Sequence, residues 1–204
     1  MDTPQLLAIA AALGWASGFR LYAVLLLTGV AGAMGWVDLP TGLQILQHPA
    51  AIAASGVMAF VEFFADKIPW LDSLWDAVHT FIRIPAGAAL AAGALGADGA
   101  AAGWVAALLG GSLAATSHAT KMTTRAAVNT SPEPFANIAV SLVEDALVVG
   151  ALWLAAEHPV VFGIALVLAL CVMAALLTVL FKFLKLVLGK IRGLGSGQPA
   201  TVSG

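Results

Sequence analysis

The chain has 204 residues, of which 61% are hydrophobic and only 10% charged, and its mean hydropathy is +0.97. A soluble domain carries about 25% charged residues, so this composition excludes an ordinary soluble enzyme, a nucleic-acid binder and a disordered regulator. What remains is one all-α polytopic membrane domain, and the net charge of −2 offers no basic surface for nucleic acid.

The first apolar runs, Pro4–Phe19 and Leu21–Val37, are split by Arg20. As a single helix over about 5–35 they would overrun the ~30 Å hydrocarbon core. Gly14, Gly18 and a charge at midspan predict a break or a re-entrant bend, which membranes tolerate where protein or a wet cavity surrounds the backbone. A long tilted helix with Arg20 snorkelling to an interface is the alternative. No basic region precedes this segment, so it is expected to stay in the mature protein.

Five more helices are predicted, at about 49–66, 75–97, 100–118, 134–156 and 159–186. Gly96-Ala97-Asp98-Gly99 turns the third into the fourth. The spacings of Gly14 with Gly18 and of Gly99 with Gly103 suit close helix packing. Cys171 lies alone in an apolar run and has no disulfide partner. Residues 1–190 form the transmembrane domain, and 191–204 read as a flexible Gly/Ser-rich cytoplasmic tail.

Six crossings put both termini on one side. With Lys182, Lys185, Lys190 and Arg192 inside, the loops carrying Lys67 with Arg83 and Lys121 with Arg125 also fall inside, and the opposite loops have no Lys or Arg. The positive-inside rule therefore predicts cytoplasmic N- and C-termini in a bacterial inner membrane. A faint self-similarity, Ala59-Phe60-Val61-Glu62 against Ser141-Leu142-Val143-Glu144, suggests two inverted three-helix repeats at about 4–97 and 99–186.

Ionisable groups inside a membrane are costly and mark function by default. Glu62 and Asp66 share a helix face, Glu144 is the repeat mate of Glu62, Asp145 points about 100° away, and Arg20 is the countercharge for a carboxylate. These five are the candidate substrate or ion site, with an ion-pair network holding the bundle together as the alternative. Residues 66–83 form an amphipathic stretch, read as an interfacial helix whose polar face, Asp72, Asp76, His79 and Arg83, could line a vestibule. Lys121, Arg125, Asn129, Ser131 and Asn137 belong to the most polar stretch, a candidate anion contact or a solvated loop. No catalytic motif is found, no cofactor is evident, and the scattered histidines leave any metal unknown.

Ser17-Gly18-Phe19-Arg20, the segment Asp66-Lys67-Ile68-Pro69-Trp70-Leu71-Asp72 and the segment Asn129-Thr130-Ser131-Pro132-Glu133-Pro134 with Glu144-Asp145 resemble bacterial membrane proteins of the domain-of-unknown-function family 4126. The resemblance covers about residues 5–180 and implies an integral membrane protein, without a substrate. The expected function is a small proton- or cation-linked transporter or channel, not an enzyme, with Glu62 and Glu144 at a central site balanced by Arg20. A non-transporting scaffold or lipid-binding membrane protein is the alternative, with a membrane-embedded enzyme acting on lipid as a third reading. Expected partners are the bilayer and a small solute, ion or lipid, and a thin six-helix bundle is compatible with a homo-oligomer.

Overall fold

A computed structural model describes residues 1–68, 70–96, 99–130 and 134–195. It contains α1 (Thr3–Ala33), a short 3-10 helix (Thr41–Gln47), α2 (Pro49–Ala65), α3 (Leu71–Leu95), α4 (Ala100–Val128), α5 (Pro134–Glu157) and α6 (Pro159–Gly195). Five helices are long and apolar enough to cross a membrane, and the 3-10 helix with α2, bent by 72°, makes a sixth candidate. The chain is an all-α polytopic membrane protein. Its lipid-exposed surface carries large apolar side chains such as Phe60, Leu108, Phe135 and Leu168, as a bilayer requires.

The decisive feature is α1. Arg20 leaves helical geometry, at φ −143° and ψ 78°, and the two halves around it fold back on each other. Ile9 and Leu13 of the first half share one cavity of about 250 Å³ with Leu27, Thr28 and Ala31 of the second. Gln5 donates to the carbonyl of Ala156 at the end of α5, and Gly29 and Gly32 lie against Leu46, Leu39 and Gln47 beside the start of α2. Both ends of α1 therefore sit at one end of the bundle, and Arg20 is the tip of a buried re-entrant hairpin. The predicted break is present and is a reversal. Each half falls short of the ~20 residues a crossing needs.

Small residues make room for the hairpin. A Cβ at Gly14 would lie 2.7 Å from the Gly110 Cα, and one at Gly87 would lie 2.6 Å from the Ala114 Cβ. The first half of α1, α3 and α4 thus meet backbone to backbone, the close approach that drives association where lipid tails remove the hydrophobic incentive. The Gly99–Gly103 pair does not pack this way. Gly99 sits in open space at φ +118°, where it starts α4.

The remaining helices alternate in direction. α2, α4 and α6 end where α3 and α5 begin, so Asp66, Asp72, Arg125 and Lys182 share one end. α1 turns back instead of crossing, which places residue 3 at the opposite end from the close of α6. This corrects the expectation of both termini on one side, which had counted α1 as a crossing. α2 and α5 run in opposite senses, as do α3 and α6, but α1 is broken and α4 is not, so the two halves begin differently.

Helix α4 also runs ten residues beyond the expected end at 118. Thr116, Thr120 and Thr123 each return a hydroxyl hydrogen bond to the carbonyl four residues back, so the polar stretch satisfies itself as helix. Likewise α3 starts at Leu71 and continues through Pro85. Its amphipathic first half is not laid on the interface as expected. Asp72, Asp76, His79 and Arg83 are buried in the bundle while Leu74, Val78 and Phe81 face out.

Candidate functional site

The polar side chains converge on the hairpin tip. Asp72, Asp76, His79 and Arg83 recur at helical spacing along one face of α3. Lys121 and Arg125 do the same on α4, and Asn137, Ser141 and Glu144 on α5. α2 delivers Glu62 and, at its end, Asp66. Every one of these groups is buried, while Asp145, next to Glu144 on α5, is half-buried.

Arg20, at the tip, contacts the end of α2 and the middle of α5. Arg20 Nη1 lies 3.0 Å from Asp66 Oδ2 and Nε lies 2.9 Å from Asp145 Oδ1, and Nη2 donates to Ser141 Oγ at 2.7 Å. Lys121 Nζ is 2.6 Å from Asp66 Oδ2, 3.3 Å from Asp76 Oδ1 and 3.8 Å from Glu144 Oε2. Arg83 bridges Glu62 Oε1 at 2.7 Å and Asp76 Oδ1 at 2.6 Å. Arg125 pairs with Glu144 at 2.7 Å, donates to the Asp66 carbonyl at 2.9 Å, and holds the Asn137 side chain.

The pairing differs from the expected one. Arg20 serves Asp66 and Asp145, whereas Glu62 belongs to Arg83 and Glu144 to Arg125. Arg83, Lys121 and Arg125 therefore lie inside helices, not in basic loops, and only Lys67 remains there as a described loop cation. The vestibule residues separate into two groups: Asp76 and Arg83 join the network, while Asp72 is held by Asn129 at 3.0 Å and by the Ser73 amide. His79 stacks on Trp75, with ring centroids 4.0 Å apart, and bonds the Trp75 carbonyl. Ser131 lies outside the described residues.

Sequence reasoning passed over Ser141 and His118. Ser141 falls one turn before Glu144 and Asp145 and one turn after Asn137, a stripe that marks an inward face. His118 touches Gly18 O at 3.3 Å, Thr80 Oγ1 at 2.7 Å and Arg83 Nη1 at 3.2 Å, clamping the chain just before the tip. Lys67 reaches Ser141 Oγ from the outside at 3.3 Å, its ammonium 3.0 Å from the Phe63 ring centroid.

Two features constrain the chemistry. The ion pairs join four cations, Arg20, Arg83, Lys121 and Arg125, to five carboxylates, Glu62, Asp66, Asp76, Glu144 and Asp145. Glu62 Oε2, Asp66 Oδ1 and Asp76 Oδ2 are buried without a hydrogen-bond partner, as are the Nε atoms of Arg20, Arg83 and Arg125. The fifth carboxylate, Asp145, is 29% exposed and has Lys67 nearby at Ser141 Oγ, so the buried part of the network sets four carboxylates against four cations. Among the described residues, no group of three His, Cys, Asp or Glu is placed to hold a metal ion.

A family model described as Domain of unknown function (DUF4126) matches residues 7–179. No curated protein and no solved structure matches the chain. The chain belongs to the DUF4126 family, as its Ser17–Arg20, Asp66–Asp72 and Asn129–Pro134 segments implied.

Proposed function

We propose that this member of the DUF4126 family is a small transporter or channel of the inner membrane, linked to protons or cations, with the buried charge network as its working site. One observation carries the reading: five carboxylates face four cations around the tip of a re-entrant hairpin. An ion-pair cluster that served stability alone could be replaced by apolar side chains at little cost. A half-buried carboxylate, Asp145, paired with Arg20 at the break of a helix is the kind of group that carries ions and protons through membranes.

The distribution of surface charge supports an orientation. Lys67, Lys182 and Lys185 lie at the network end, and Asp2, Asp38 and Glu157 at the other. The positive-inside rule puts the network end in the cytoplasm, with residue 3 on the outer face.

Purified protein in proteoliposomes with a trapped pH indicator tests the reading. Wild-type protein should collapse an imposed pH gradient faster than empty vesicles. Asp145→Asn and Glu144→Gln should slow this at least about tenfold, a barrier change of about 1.4 kcal/mol, while Glu157→Gln at the opposite end should not. Wild-type rates in both network variants would sink the assigned roles. A drop in thermal stability without any flux in the wild type would favour the scaffold or lipid-binding reading.

A further inference from the structure

The break in α1 builds a second kind of feature, a cation site made of oxygens. At the end of its first half, helical carbonyls lose their usual partners. One of them, Phe19 O, accepts from Lys121 Nζ at 3.0 Å. The same ammonium is 2.6 Å from Asp66 Oδ2 and 3.3 Å from Asp76 Oδ1, with Glu144 Oε2 at 3.8 Å. A carbonyl from a discontinuous helix is a donor that membrane transporters offer to a sodium ion, and here two close carboxylates stand beside it. Here the four oxygens come from α1, the end of α2, α3 and α5, and α4 supplies the cation. The second oxygens of Asp66 and Asp76 are buried and unpartnered, so the site has more oxygen than the lysine uses.

We propose that Lys121 is a tethered cation occupying a sodium-type site at the hairpin tip. Asp66, Asp76 and Glu144 hold its ammonium there, against the neighbouring guanidinium groups of Arg20, Arg83 and Arg125, which share the same carboxylates.

The test compares wild-type protein and Lys121→Ala by thermal unfolding in detergent, in sodium chloride and in choline chloride at equal ionic strength. In choline the variant should unfold well below the wild type. Sodium should raise its Tm by several degrees and leave the wild type unmoved. Sodium acting no better than choline on the variant overturns the site. If the variant folds only when sodium is present, that recovery supports it, and failure in both salts counts against it.

Discussion

Replacing Arg83 with alanine should destabilise the protein more than any other single change in the network, by about 3–5 kcal/mol. Among the described residues its guanidinium is the only ionic partner of Glu62, and it is the nearer partner of Asp76. Without it Glu62 keeps a buried charge with nothing opposite, and Asp76 retains only Lys121. The reverse change, Glu62→Gln, leaves Arg83 paired with Asp76 and should cost far less. The double variant Arg83→Ala/Glu62→Gln should recover part of the loss, because it removes the stranded charge as well. Thermal unfolding of the four proteins in one detergent completes the cycle. Equal losses in the two single variants, or a double variant no better than Arg83→Ala, would contradict the pairing.

A single methyl group at Gly18 should have the next largest effect. The added Cβ would collide with Ser117 Oγ and with the Ala114 carbonyl, and would lie 2.9 Å from the His118 amide nitrogen. Two of these are backbone atoms of α4, which can yield only by moving the helix. The displacement would draw the Gly18 and Phe19 carbonyls away from His118 and Lys121. Overpacking of this kind costs about 1–3 kcal/mol, against a helix-propensity gain from Gly to Ala of up to ~1 kcal/mol. At Gly163 a Cβ meets nothing within 4 Å, so Gly163→Ala should be neutral or mildly stabilising. A Tm for Gly18→Ala at or above that of Gly163→Ala would mean that the hairpin does not seat against α4 as described.

Much of this arrangement was legible in the residues. The scarcity of charge singled out Arg20, Glu62, Asp66, Glu144 and Asp145; Asp66 and Asp145 meet Arg20 at the tip, while Glu62 and Glu144 pair instead with Arg83 and Arg125. The length of the first apolar segment, with glycines and a charge at its middle, pointed to a break at the position where it occurs. The direction taken after the break was not legible, because helices in lipid are paired by small-residue contacts such as Gly14–Gly110, which leave no hydrophobic period to read. The partner of each carboxylate was likewise hidden, since it depends on which helices become neighbours. Lys121 and Arg125 looked like loop residues only because a helix that buries cations against carboxylates has the composition of a solvated turn. That error carried into the topology, where three buried cations were counted as cytoplasmic charge.

Helix α1 enters the bundle, turns at Arg20 and leaves at the end it came from. Single cysteines at Thr3, Trp36 and Lys185, each introduced with Cys171→Ser, test this path most directly through labelling of oriented vesicles by a membrane-impermeant maleimide. Thr3→Cys and Trp36→Cys should react from the same face of the membrane and Lys185→Cys from the other. Labelling of Thr3→Cys and Trp36→Cys from opposite faces would make α1 a crossing helix and contradict the account.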